Sequence, residues 1–232
     1  MKILALETSA VSASVAICED EALIAQNFQR TGLTHSATLM PMLESMLKTA
    51  GLNLSEIDLI AVAHGPGSFT GLRIGVSAAK GLAWPTDKPC AGVSTLEAMA
   101  WQMIGMDGVV CASMDARRQQ VYNALFELKD GKPIRLTEDR AISLDDLKSE
   151  LANVEKTQIM IGDGAHLCYN AFEKCGYPVK MAPPHLRYQT AWGVARCALE
   201  QARAGMLTDA AGLAPNYHRL SQAERERLAK QQ

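Results

Sequence analysis

The most specific spacing in this sequence lies in a glycine-rich segment, His64-Gly65-Pro66-Gly67-Ser68-Phe69-Thr70-Gly71. Exposed backbone N–H groups between a strand and a helix can hold an anion, and Ser68 is a suitable N-cap. The segment is not a Walker A loop, because Leu72-Arg73 follow where Lys and then Ser or Thr are required. It is also one residue too long for the dinucleotide fingerprint. A tight turn leading into a capped helix is the alternative interpretation.

Two carboxylates, Glu7 and Asp115, end strands at matching places in the two halves of the chain, and Gly162-x-Gly164 forms a second glycine turn. In a two-lobe ATP-binding fold, these are the places where metal or phosphate is handled. The sequence therefore suggests a remnant nucleotide or anion site at Glu7, Thr8, Gly65, Gly67, Ser68, Asp115, Gly162 and Gly164.

The histidines and cysteines show no spacing that would support chemistry. No two of the five histidines are four residues apart, and none of the six cysteines belongs to a C-x-x-C motif. No serine stands in a G-x-S-x-G motif. We therefore predict no catalytic residue and no metal site, and we interpret the cysteines as small buried side chains in a reducing cytosol.

Hydrophobic periodicity predicts the same order of elements in both halves. In the first half we expect strands at 2–9, 12–18, 22–30, 59–63 and 91–93, and helices at 35–50, 68–84 and 95–104. In the second half we expect strands at 109–117, 119–128, 133–142, 158–161 and 178–181, and helices at 144–151, 165–175 and 191–204. This repeat predicts an N-terminal lobe, residues 1–106, and a C-terminal lobe, residues 107–232, with a mobile tail from about Asn216.

Composition excludes several classes of function. The chain has 232 residues, 48% hydrophobic and 21% charged, with a formal net charge of −2. Such a balance excludes a protein that coats nucleic acid, so contact with RNA is expected to be indirect. Glu7 interrupts the apolar start before it reaches signal-peptide length, and no segment has 18 consecutive apolar residues. We expect a cytoplasmic protein with no membrane contact.

Small residues recur every fourth position along the second helix, at Gly71, Gly75, Ala79 and Ala83. Glycine within a helix costs up to about 1 kcal/mol relative to alanine, so a compensating close contact is expected. The chain's own sheet or a helix of another chain could provide it. The first helix is rich in methionine, which is adaptable and enriched at interfaces, although a methionine stripe is more often part of a core.

The segment Gly65-Pro66-Gly67-Ser68-Phe69-Thr70-Gly71-Leu72-Arg73-Ile74-Gly75 resembles the signature of the bacterial TsaB (YeaZ) family. Further matches, in order along the chain, are Leu6-Glu7-Thr8-Ser9, Thr34-His35-Ser36, Gly92-Val93-Ser94-Thr95-Leu96, Met114-Asp115-Ala116-Arg117-Arg118 and Val121-Tyr122. The similarity extends over nearly the whole chain and is densest in the first 120 residues.

The resemblance implies an α/β fold of the actin-like type (ASKHA, ribonuclease H-like), in which each lobe is a mixed sheet flanked by helices. It implies a part in making N6-threonylcarbamoyladenosine next to the anticodon of tRNA. In that system the paralogue TsaD transfers the group and TsaE is an ATPase, so ATP and a metal belong to these partners. TsaD carries an H-x-x-x-H metal pair, whereas this chain has His35 and then Leu39. The resemblance therefore implies a scaffold subunit without its own cofactor.

The resemblance also implies that the two N-lobe helices bind TsaD, or a second copy when the chain is alone. The residues that this assigns to the interface are His35, Leu39, Met42, Leu43, Met46, Gly71, Leu72, Gly75, Val76 and Ala79. Gly75→Leu is then expected to disrupt the complex without unfolding the monomer. The competing hypothesis is a stand-alone ATP-dependent kinase for a small acid or sugar, with Glu7 and Asp115 as its only candidate metal-binding carboxylates.

Overall fold

Two mixed sheets with the same strand arrangement form the framework of the chain. The structure is a computed structural model that describes residues 1–219, apart from the side chain of Lys174. The strands are β1 (Lys2–Glu7), β2 (Ala13–Glu19), β3 (Ala22–Gln29), β4 (Leu59–Gly65), β5 (Cys90–Ser94), β6 (Val109–Asp115), β7 (Gln120–Lys129), β8 (Lys132–Arg135), β9 (Arg140–Ser143), β10 (Gln158–Ile161) and β11 (Val179–Met181). The α-helices are α1 (His35–Ala50), α2 (Phe69–Ala83), α3 (Thr95–Trp101), α4 (Leu144–Leu151), α5 (Ala165–Phe172) and α6 (Ala191–Arg203).

The strand order confirms the predicted repeat. The first sheet runs β3-β2-β1-β4-β5, and the second runs β8-β7-β6-β10-β11, with β9 also paired to β7. In the first sheet β1, β2 and β3 pair antiparallel, whereas β4 and β5 are parallel to β1. In the second sheet β6, β7 and β8 pair antiparallel, whereas β10 and β11 are parallel to β6. Each half therefore repeats one folding plan, as the order of elements had indicated.

The central strands are apolar on both faces because helices cover both sides of each sheet. On β1, Leu4 and Leu6 pack in the cluster that contains α1 and α2, whereas Ile3 and Ala5 pack against α6. Helix α3 joins the first sheet to the second, since it contributes Trp101 to the α6 cluster and other side chains to the core of the second sheet. Helices α4 and α5 cover the outer face of the second sheet.

The structure corrects one predicted strand. Residues 133–142 form two strands, β8 and β9, because the chain turns a corner between them. At this corner Leu136 N–H donates to the Leu125 carbonyl at 2.8 Å. Arg135 closes the corner with an ion pair to Asp139 at 2.6 Å. Leu125 lies on β7, eleven residues before Leu136, so the local alternation of side chains over residues 133–142 did not reveal the corner.

The predicted lobe boundary after residue 106 separates the strands of the two sheets, but helix packing crosses it. Helix α6 belongs to the second half of the sequence and packs on the first sheet. The chain after it returns to the first sheet, where Thr208 forms a bridge with Cys90. The N-terminal lobe is thus completed by C-terminal residues.

Candidate functional site

A cleft of about 690 Å³ lies between the two sheets, at the ends of β1 and β6. Both halves of the chain contribute to its lining: Ser9, Ala10, Val11, Arg30, Gly67, Ser68, Phe69, Met114, Asp115, Ala116, Arg117, Tyr122, Asp163, His166, Tyr188 and Arg219. Of the residues assigned to the remnant site, Gly67, Ser68 and Asp115 line this cleft. The other five are not part of its lining.

The two glycine turns bring helix N-termini directly against the strand ends. A Cβ at Gly67 would lie 2.6 Å from the Ser9 carbonyl oxygen, and a Cβ at Gly164 would lie 2.9 Å from the Met114 carbonyl carbon. Such distances are too short for any side chain, so both positions require glycine. Ser68 caps α2 by accepting a hydrogen bond from Gly71 N–H at 3.4 Å, which confirms its predicted N-cap role.

Glu7 is fully buried beneath the cleft. Its Oε1 accepts a hydrogen bond from Ser9 N–H at 2.6 Å, whereas its Oε2 has no partner among residues 1–219. Burial raises the pKa of Glu7 to about 7, and the nearby charge of Asp163 adds a smaller increase. Burial also raises the pKa of Asp163, whose Oδ1 accepts a hydrogen bond from Gln189 at 2.9 Å. Glu7 is therefore poorly placed to meet a ligand in the cleft.

Glu7→Gln is expected to remove a loss of stability that develops as the pH rises from about 4.5 to about 7. The native pKa of about 7 lies above the ordinary value of 4.5, so the native state binds more protons than the unfolded state between these values. The free energy of unfolding therefore falls as the pH rises from about 4.5 through 7, by up to about 3 kcal/mol. Urea unfolding at about pH 5 and about pH 8 should show a smaller decrease in Glu7→Gln than in the wild-type chain.

A matched control for this experiment is Glu44→Gln, at an exposed position on α1. This variant should keep the pH dependence of the wild-type chain. Equal pH dependence in the wild type and in Glu7→Gln would contradict the assignment of the proton to Glu7.

Asp115 has a different role from Glu7, although both end matching strands as predicted. Its Oδ1 accepts a hydrogen bond from Arg117 N–H at 2.7 Å, and its Oδ2 lies 3.7 Å from the Arg117 guanidinium. Arg117, Arg118 and Gln119 have positive φ angles of 66°, 56° and 57°. Non-glycine residues rarely adopt this backbone conformation, and strain of this kind is concentrated at functional sites.

The C-terminal strap, residues 206–219, closes one side of the cleft mouth. Asn216 N–H donates to the His64 carbonyl at 2.7 Å, and the Tyr217 ring stacks on Phe69 with centroids 4.1 Å apart. Arg219 then donates to the Ala116 carbonyl of the second lobe at 2.7 Å. Residues 216–219 of the predicted mobile tail thus contact both lobes, and the rest of that tail lies outside the described residues.

Eight of the ten predicted interface residues are buried within this chain, so the predicted contact is wrong for them. These residues are Leu39, Leu43, Met46, Gly71, Leu72, Gly75, Val76 and Ala79. A Cβ at Gly71 would lie 2.1 Å from the Thr8 carbonyl oxygen, and a Cβ at Gly75 would lie 2.4 Å from Thr8 Oγ1. The stripe of small residues therefore lets α2 approach the end of β1. Contact with the chain's own sheet, the alternative left open above, is the correct interpretation.

The two remaining residues of that set are partly buried. Nε2 of His35 lies 2.7 Å from the Ala10 carbonyl oxygen, and the Met42 carbonyl accepts a hydrogen bond from Asn27 at 3.1 Å. Leu39, four residues after His35, packs in the core. Within residues 1–219, no three His, Cys, Asp or Glu side chains are grouped so that they could hold a metal ion.

Other residues of α1 and α2 are exposed, and five exposed positions on or directly after these helices are called the outer face here: Met40, Pro41, Ser77, Gly81 and Trp84. Trp84, directly after α2, is 66% exposed, and Met40 is 46% exposed. A Cβ at Gly81 would have no atom of residues 1–219 within 4 Å. Gly81 lies two positions from Ala79 and from Ala83 and therefore on a different side of α2 from the buried stripe. This spacing could have indicated from the sequence that Gly81 is exposed.

Two lobes with one strand order, helices between them and a cleft at the strand ends define an actin-like two-lobe α/β protein. A crystal structure of a protein with similarity to peptidase YeaZ from Pseudomonas aeruginosa superimposes with a TM-score of 0.78 and 25% identity, over 94% of this chain and 99% of that one. Component A of (R)-2-hydroxyglutaryl-CoA dehydratase from Acidaminococcus fermentans shares the fold alone, with a TM-score of 0.52 and 13% identity over 88% of this chain and 99% of that one.

Sequence comparisons identify the particular family. Residues 29–226 match the family model of TsaD, tRNA N6-adenosine threonylcarbamoyltransferase. The chain is 35% identical to the tRNA threonylcarbamoyladenosine biosynthesis protein TsaB of Bacillus subtilis, over 72% of this chain and 73% of that protein. It is 36% identical to TsaB of Escherichia coli, over 70% of this chain and 69% of that protein. The chain belongs to the TsaB family of this TsaD-related group.

The family assignment confirms the predicted role in tRNA threonylcarbamoyladenosine biosynthesis, and it does not support the kinase alternative. Within residues 1–219, no helix has both the length and the hydropathy needed to cross a membrane.

Proposed function

We propose that this chain is a scaffold subunit without a complete active site, which holds a TsaD-type transferase in the arrangement that modifies the adenosine next to the anticodon. The observation that carries this proposal is the environment of the first helix. Leu39 is buried in the core, and His35 is engaged by the Ala10 carbonyl. The position of a second histidine ligand is thus occupied by an aliphatic side chain. ATP and the metal are assigned to the partner subunits.

The outer face is the surface that we propose for TsaD. It includes two exposed apolar side chains, Met40 and Trp84, and a helical glycine, Gly81, at which a Cβ would meet no atom of residues 1–219 within 4 Å. Such a glycine costs up to about 1 kcal/mol relative to alanine, and a partner helix that approaches closely would compensate for it. The same surface would form the homodimer when the chain is alone, and TsaE would join the assembled pair.

Reconstitution with purified subunits tests the proposal. The full chain, TsaD and TsaE of the same organism are combined with tRNA and the substrates of the modification, and each protein is omitted in turn. We expect no modified adenosine when either this chain or TsaD is omitted, and none from this chain alone. Modification by the chain alone, or unchanged modification without it, would refute the scaffold role.

A further inference from the structure

The arginines of this chain are unevenly distributed, and the cleft mouth holds most of them. Residues 1–219 contain ten arginines. Six lie in the cleft lining or beside residues that line it: Arg30, Arg73, Arg117, Arg118, Arg187 and Arg219. Among the described residues, no lysine contributes to the lining. This choice of cation matters, because the planar guanidinium group binds phosphate oxygens in pairs and stacks on rings, whereas an ammonium group does neither.

The partners of these arginines differ from those of the other four. Away from the cleft, every arginine within the described residues pairs with a carboxylate: Arg135 with Glu97 and Asp139, Arg140 with Glu150, Arg196 with Glu21, and Arg203 with Glu21 and Glu200. At the cleft mouth only Arg117 has such a pair, with Asp115. The other five have no carboxylate partner among residues 1–219, so no ion pair within that part of the chain offsets their positive charge.

Two of the cleft arginines, Arg30 and Arg73, also lie near aromatic rings. The Arg30 guanidinium lies 4.3 Å from the centre of the Tyr188 ring. Arg73 donates to the Tyr217 hydroxyl at 2.9 Å, beside the Phe69–Tyr217 stack. Partly exposed rings next to arginines are the combination that binds single-stranded nucleic acid, since bases stack on the rings while cations meet the phosphates.

The acidic groups of the cleft do not cancel this charge. Asp115 is already paired with Arg117, and Asp163 already accepts a hydrogen bond from Gln189 at 2.9 Å. The cations lie around the rim, on the strap, on α2 and on the strained turn at 117–119, rather than converging on one point inside. An extended chain of phosphates suits this distribution better than a single small anion.

We propose that the arginine rim of the cleft contacts the phosphodiester backbone of the substrate tRNA directly. The identity of this RNA rests on the proposed function, whereas the anion-binding surface rests on the arginines alone. The net charge of −2 had predicted indirect contact. An average over the chain conceals a local excess of positive charge, and the field at the cleft mouth is set by that local excess.

The test is binding of fluorescently labelled tRNA, measured by anisotropy over a series of salt concentrations, for the full chain alone and in complex with TsaD. The variant is Arg30→Gln/Arg118→Asn, because both side chains are exposed and asparagine tolerates the positive φ at residue 118. The control, Lys129→Gln/Lys156→Gln, removes two exposed charges at the opposite end of β7.

We expect the slope of log K against log salt to decrease in magnitude by about 2 in the arginine variant and to stay unchanged in the control. An unchanged slope and affinity in the arginine variant would overturn the inference, provided that its thermal melting matches the wild type. A second result would also overturn the RNA assignment. If millimolar ATP abolishes tRNA binding by the wild type, and the arginine variant loses ATP binding as well, the rim is a site for a free nucleotide.

Co-elution with TsaD separates this inference from the proposed function. If the variant complex forms normally but its tRNA binding is unchanged, the inference fails and the scaffold role stands. If the wild-type chain does not co-elute with TsaD, the proposed function fails, and tRNA binding by the chain alone still tests the arginine rim.

Discussion

Gly75→Leu is expected to lower the melting temperature of the isolated chain by about 6–12 °C. A Cβ at Gly75 would lie 2.4 Å from Thr8 Oγ1 and 3.2 Å from Val62 Cγ2. Thr8 cannot move away easily, because it is fully buried and its hydroxyl donates to the Gly71 carbonyl at 2.8 Å. Overpacking a core of this kind costs about 1–3 kcal/mol, and leucine is expected to reach the upper end of this range. For a chain of this size, each kcal/mol corresponds to about 2–4 °C.

This expectation reverses the one drawn from the sequence, which assigned Gly75 to the partner contact. Differential scanning calorimetry of the purified chain measures the effect. Gly81→Ala is the matched control on the same helix, since a Cβ there meets no atom within 4 Å. It should raise the stability by up to about 1 kcal/mol, because alanine has the higher helix propensity. A wild-type melting temperature for Gly75→Leu would show that α2 does not pack on β1 as described.

Gly81→Arg is expected to weaken the association with TsaD by about 30-fold or more while the isolated chain remains folded. The position is exposed and surrounded by open space, and arginine has a higher helix propensity than glycine. If a partner helix crosses closely at Gly81, a long charged side chain would separate the two backbones. Interface residues of this importance cost about 2 kcal/mol or more, and 1.4 kcal/mol corresponds to a tenfold change in affinity.

Titration of TsaD by surface plasmon resonance gives the dissociation constant for each variant. Ser149→Arg, on the exposed side of α4 in the second lobe, introduces the same side chain away from the outer face and should bind as the wild type does. Wild-type affinity in Gly81→Arg would remove α2 from the contact surface. Equal weakening in Ser149→Arg would show that the effect of the arginine is not local.

Much of the fold could be predicted from local pattern. The bounds of α1, α4 and β10 agree with the prediction, and the repeated order of elements gave the two sheets. The glycine turns at Gly67 and Gly164 were found as well, because no other residue fits where a helix N-terminus meets the end of a strand. The corner between β8 and β9 was missed, since the contacts that form it come from β7.

The candidate site was predicted less completely. Asp163 lies within the glycine turn that the sequence singled out, yet its closeness to Glu7 depends on the approach of β10 and β1 across the two lobes. Arg30 and Arg219 are 189 positions apart and both line the cleft. No local pattern connects such residues, because only the packing of the lobes brings them together.

The two-lobe plan, the helices and the family could be predicted from periodicity, from glycine spacing and from motifs that are contiguous in the chain. The buried side of α2 could not, because it depends on packing between distant parts of the chain. Periodicity tells which residues share a face of a helix, but a stripe of small side chains looks the same whether it meets a strand of its own chain or a helix of another. The contact between Thr8 and Gly75 settles this point for the buried stripe and leaves Gly81 facing outward.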